Sequence, residues 1–171
     1  YSNILDNTEQ RLESMLRVGW SYAKMRRIGA TLIVRNGDSD AIDTLKEEYN
    51  LVIAAIDTEL QVYIDTLEKD YMLTDEERSG RRESIVELER IIEEEYNALL
   101  VKMFESAYAG NEEETHRLLD GGALLADRVT SILEQYIESA EKLMADTSAA
   151  NSESAKNSGY FVIVWLLATV I

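Results

Sequence analysis

The chain has 171 residues, no cysteine, no proline and a formal net charge of −16. That length supports one domain with a real core, and the missing cysteines exclude disulfides and thiolate metal sites. So acidic a chain is a poor partner for nucleic acid, since phosphate contacts need a basic face.

With eight glycines as the only strong breakers, long helices are expected. The first is predicted over about residues 2–35. Ile4, Leu5, Leu12, Met15, Val18, Tyr22, Met25, Ile28, Leu32 and Ile33 recur every three or four residues and mark one helical face. Gly19 and Gly29 on this helix allow close approach of a neighbour. Asn36-Gly37-Asp38-Ser39 ends it: glycine supplies the left-handed residue past a helix end, and Asp or Ser caps the next helix. This first segment is the basic part of the molecule. Residues 1–36 hold six basic and three acidic side chains, residues 37–74 two and ten, and residues 75–171 nine and twenty.

The second helix carries the cleanest heptad. Ile42, Leu45, Tyr49, Val52, Ile56, Leu60, Tyr63, Leu67 and Tyr71 form a seam for left-handed bundle packing. Thr74-Asp75-Glu76-Glu77 is a capping box and opens the third helix. Ser79-Gly80 weakens its first turns, and Ile85, Leu88, Ile92, Tyr96, Leu99 and Met103 carry its stripe to about Ala109. Gly110-Asn111 closes it. Asn111 can cap a short segment whose first turn, Glu112-Glu113-Glu114, suits the positive end of a helix dipole. Asp120-Gly121-Gly122 then breaks or kinks the path.

The last helix is predicted over about 124–171. Leu125, Val129, Ile132, Tyr136, Ala140 and Leu143 share a face. Beyond Ser158 the thirteen residues 159–171 carry no charge. A bilayer span needs about twenty residues, so this run is expected to be the first two-thirds of a transmembrane helix. Tyr160 and Trp165 suit headgroup-level anchors. The competing expectation is a buried C-terminal core helix. The first residue, Tyr1, is neither an initiator methionine nor the start of a signal peptide, so an upstream segment is expected.

Four segments of about 35 residues, each about 50 Å long, joined by tight turns, predict an all-α, antiparallel up-down-up-down four-helix bundle. Residues 1–158 would form the bundle and 159–171 the start of a membrane helix. The Asn36 turn and the 110–122 break would share the pole far from the membrane.

Several stretches, taken in order, resemble the extracytoplasmic four-helix-bundle sensor domain of bacterial methyl-accepting chemotaxis proteins. They are Met25-Arg26-Arg27-Ile28-Gly29-Ala30-Thr31-Leu32-Ile33 before a Gly-Asp turn, and Leu73-Thr74-Asp75-Glu76-Glu77-Arg78 opening the third helix. Ala107-Tyr108-Ala109-Gly110-Asn111-Glu112-Glu113-Glu114 comes next, with Leu118-Leu119 and the long last helix after it. The resemblance covers essentially the whole chain. It implies a homodimer in the inner membrane with this domain on the periplasmic or extracellular side. It also implies an upstream first membrane helix and a signalling half beyond the second. Sensing would be direct or through a periplasmic binding protein. Histidine kinases and cyclases carry similar modules.

In members of that family that bind amino or carboxylic acids, arginines ending helix one meet the start of helix four near the distal pole. The matching positions are Arg26, Arg27 and Arg35, with Arg128 and Thr130 opposite. Guanidinium groups grip carboxylates bidentately, and a basic cluster in an acidic protein focuses anions. The alternative is that these arginines neutralise acidic helix faces through surface pairs. It belongs with a second reading, a structural helical module that dimerises or binds a partner protein.

His116, the single histidine, is expected to be solvated, and Glu93-Glu94-Glu95 to be a solvated face. Di-iron bundles use Glu-x-x-His pairs, which do not occur here. No nucleophile set, phosphate loop or paired-His motif is visible, so neither enzyme, metal nor cofactor is expected.

Overall fold

The computed structural model describes residues 2–71 and 73–148, with side chains described over 7–71 and 73–142. The described residues form an all-helical bundle without strands. Helix α1 spans Ser2–Val34, α2 Ser39–Glu68 and α3 Asp75–Arg90; α4 spans Asn97–Tyr108, α5 Glu112–Gly121 and α6 Ala123–Ser148. A π-helical turn, Ile91–Tyr96, joins α3 to α4. Among the described residues no helix is long and apolar enough to cross a membrane. The expected membrane segment, 159–171, lies outside the described residues.

The boundaries follow the local chemistry. Asp38 caps α2 by accepting from the Ala41 amide at 3.2 Å. Thr74 and Glu77 form the reciprocal capping box, with the Glu77 amide donating to Thr74 Oγ1 and the Thr74 amide to Glu77 Oε2, at 3.2 and 2.8 Å. Asn111 caps α5 by accepting from the Glu114 amide at 3.2 Å. Gly37 and Gly110, at φ +80° and +70°, take the left-handed conformation that any Cβ would strain.

Burial follows the stripes closely. Met25, Ile28, Leu32, Ile42, Ile56, Leu67, Ile85, Leu88 and Val129 are fully buried. Tyr71, expected at the end of the α2 seam, stands 66% exposed past the helix end instead. The third stripe shifts phase. In place of Leu99, expected inside, Leu100 is the fully buried residue, with Met103, Phe104 and Ala107 buried after it. The reason is geometric. Buried Leu88, Ile92, Tyr96 and Leu100 are four apart, and each step of four turns an α-helical face by about 40°. The wider π-turn takes that drift back and keeps all four pointing inward.

In three pairs of helices the contacts run in opposite chain order. Between α1 and α2, Arg11 meets Asp70, Arg17 meets Glu59 and Arg27 meets Glu48. Tyr49 meets Asn97, and Tyr108 meets Asp43, between α2 and α4. Tyr136 on α6 reaches the Arg81 carbonyl, and Arg128 reaches Glu87 and Glu95. Gly29 on α1 sits against Leu100 and Leu119, where an added Cβ would come within 3.4–3.5 Å of their methyls.

Candidate functional site

The α1–α2 turn and the α4–α5 corner touch. The Gly37 amide donates to the Ala107 carbonyl at 2.8 Å, and Asn36 Nδ2 donates to Thr115 Oγ1 at 3.1 Å. The buried Thr115 hydroxyl also contacts Ser106 Oγ at 2.9 Å, which ties the corner down.

Of the five residues expected to hold a ligand near this end, Arg27 and Arg128 are engaged with carboxylates. Arg27 is exposed and paired with Glu48 of α2. Arg128 Nη2 donates to Glu87 at 2.9 Å and its Nη1 to Glu95 at 3.3 Å. Arg90 shares both carboxylates, at 2.8 and 2.7 Å, so two guanidiniums and two carboxylates form one network beside the π-turn. Arg26 and Arg35 make no ion pair among the described residues; Arg26 is half-buried and Arg35 exposed. Arg26 lies within electrostatic reach of the Tyr22 and Tyr96 hydroxyls. Thr130 is half-buried on α6. Exposed ion pairs such as these contribute under about 1 kcal/mol each.

The middle of the bundle holds an aromatic cluster around the π-turn. Tyr22 meets Tyr96 edge-on at 5.4 Å, and Tyr49 meets Phe104 at 5.7 Å. Burial pushes the Tyr22, Tyr49 and Tyr96 hydroxyls above the usual phenol range. The Tyr22 hydroxyl is buried and has no hydrogen-bond partner in the described structure. On the outer side of the same turn, partial burial and then the neighbouring Asp57 carboxyl of α2 hold Glu93 above the ordinary carboxylate range. Glu89 and Glu94 add to the effect.

A raised carboxyl pKa means that the folded chain binds the proton more tightly than the unfolded chain. Stability is therefore lost as pH rises out of the ordinary carboxylate range. Glu93→Gln is expected to raise the melting temperature near pH 7, with the gain fading toward about pH 4. Thermal melts by circular dichroism at the two pH values check it, and a gain that is equal at both would contradict the assigned cause.

The other end of the molecule holds buried polar groups that the apolar stripes do not mark. Arg11 and Asp70 are 2% and 3% exposed in their side chains and pair at 2.6 Å. Arg11 also donates to Thr8 Oγ1 at 3.2 Å and to the Thr66 carbonyl at 3.4 Å. Arg78 donates to the Asp70 and Leu73 carbonyls at 2.9 and 3.2 Å and so closes the α2–α3 connection. The available signal was Arg11 itself, a charge set four residues before Met15 on the apolar face.

Between α3 and α6 an open groove of about 590 Å³ is lined by Arg81, Glu83, Ser84, Ile132, Gln135 and Tyr136 among others. Among the described residues no three His, Cys, Asp or Glu side chains are placed to hold a metal ion. His116 is exposed, 3.8 Å from Glu112. No known family model, curated protein or solved structure matches the chain.

Proposed function

We propose that the chain is the extracytoplasmic ligand-sensing domain of a transmembrane chemoreceptor, built as an antiparallel up-down-up-down four-helix bundle. A small amino or carboxylic acid would bind near the end where the α1–α2 turn meets the α4–α5 corner. Helix α6 would pass the signal toward the uncharged run 159–171. The observation that carries this reading is the contact of those two turns through Gly37, Asn36, Ala107 and Thr115. It supports a shared distal pole, with Arg26 and Arg35 on the side of the basic helix and both clear of ion pairs among the described residues. An ångström-scale shift of one helix at an interface suffices for a switch of this kind. Trp20, 51% exposed, and Val34, 80% exposed, lie with Arg27 at seven-residue spacing on α1, and this supports a homodimer seated on that helix. The output domain, whether of a chemoreceptor, a histidine kinase or a cyclase, would be joined through that same run.

The ion pairs of Arg27 and Arg128 favour a second reading, a structural helical module without a small ligand. Thermal-shift titration with amino and dicarboxylic acids separates the two. The sensor reading expects stabilisation by at least one small anion, lost in the Arg26→Ala/Arg27→Ala double variant. Silence across the panel supports the structural module, and an unchanged hit in the double variant overturns the arginine assignment.

A further inference from the structure

The α3–α6 groove has a volume of about 590 Å³, within the range of small-molecule sites. Gly80 faces open space in its α3 wall, where an added Cβ would meet no atom within 4 Å. Arg81 is the cation at its floor. The other arginines of α3 all have carboxylates: Arg78 with Asp75, Arg82 with Glu68 and Arg90 with Glu87. Arg81 is half-buried and has no ion pair among the described residues, although the protein carries a net charge of −16.

Its surroundings hold it in place. The Tyr136 hydroxyl donates to the Arg81 carbonyl at 2.7 Å, and the Tyr136 ring meets Tyr63 edge-on at 5.3 Å. The Arg81 side chain lies beside the Tyr63 hydroxyl. Behind it a small cavity of about 10 Å³ is bordered by Thr8, Arg11, Tyr63, Arg81 and Tyr136, with no carboxylate in its wall. The floor of the groove is thus cationic and aromatic.

The rim has the opposite sign. Glu77 is held by its capping box and lies within electrostatic reach of Arg81, while Glu87 is held by Arg90 and Arg128. Glu83 is exposed and takes only a 3.3 Å hydrogen bond from Ser79. Ile132 and the Tyr136 ring supply apolar surface in the same groove. A floor cation, a lightly engaged rim carboxylate and apolar surface complement a ligand with separated charges of both signs.

We propose that this groove binds an ω-amino carboxylate, with its carboxylate on Arg81, its ammonium at Glu83 and its methylenes against Ile132 and Tyr136. The site lies within one copy of the chain and is separate from the Arg26, Arg27 and Arg35 positions. Because Ile132, Gln135, Tyr136 and Ser139 belong to α6, an occupant would bridge α3 and α6. Only that coupling to α6, not the binding itself, rests on the sensor reading above.

Isothermal titration of the 171-residue chain with 6-aminohexanoate, hexanoate and 1-aminohexane tests it. The zwitterion is expected to bind at least about tenfold more tightly than either singly charged probe, a difference of about 1.4 kcal/mol. Arg81→Gln and Glu83→Gln should each weaken it at least about tenfold, with the far-UV circular dichroism unchanged. Ser139→Trp fills the exposed rim and should abolish binding without touching the core. No binding of 6-aminohexanoate, or binding that survives both Arg81→Gln and Ser139→Trp, overturns the proposal. If it fails while a small anion still binds through Arg26 and Arg27, the groove is excluded and the sensor reading stands. If both titrations are silent, both are excluded.

Discussion

Asp70→Ala is expected to destabilise the folded chain by about 3–5 kcal/mol, read as a fall in the urea midpoint. The Arg11 guanidinium is 2% exposed and is held by Asp70 Oδ2 at 2.6 Å, with Thr8 and the Thr66 carbonyl as lesser partners. Removing the carboxylate leaves a positive charge in a water-poor site with only neutral acceptors. The desolvation of that charge is then uncompensated, and this is the source of the cost. A paired substitution separates the net contribution of the ion pair from the damage of breaking it. Arg11→Met/Asp70→Leu removes both charges and keeps much of the volume, so it should lie far closer to the parent than Asp70→Ala does. If the double variant is as unstable as the single one, the pair contributes more than the penalty of an orphaned charge.

The second large effect concerns the π-turn. Deletion of Val101 is expected to unfold the domain, whereas deletion of Glu94 should move the melting temperature by only a few degrees. Val101 lies in the α-helical part of the third rod, where every residue removed rotates the rest of the helix by about 100°. Met103, Phe104 and Ala107 would then leave the core. Losing buried contacts of that size costs about 2–5 kcal/mol per large side chain, comparable in sum with the whole stability of a domain. Glu94 is exposed and lies inside the wide turn. Its removal lets the turn relax to an α-helix while Leu88 and Leu100 keep their inward phase. Circular dichroism melts of the two deletions check this. Equal damage from both would mean that the turn is not the element that sets the phase.

The residues show plainly where local chemistry decides. Thr74 and Glu77 form their box, Asp38 and Asn111 cap, and Gly37 and Gly110 turn left-handed. Each of these outcomes depends on a few neighbouring backbone groups, and so a short window suffices to see it. The inward faces of α1 and α2 are equally visible, because a period near 3.6 separates apolar from polar residues.

The order of residues therefore dictates the helices, their ends and most of their buried faces, since those are set within a turn or two of chain. The partners of the charges are settled by packing in three dimensions. Arg27 and Arg128 look alike in a string of letters, yet one is taken by Glu48 and the other by Glu87 and Glu95. Arg81, without an ion pair among the described residues, comes to line a groove only where α3 and α6 stand side by side. Arg11 and Asp70, 59 residues apart, meet only when α1 and α2 pair. The phase shift at Ile91–Tyr96 is likewise a product of packing, because the core against which it keeps Tyr96 and Leu100 exists only once the other helices are in place. Charge pairing acts through space over a few ångströms, and chain order does not encode that distance.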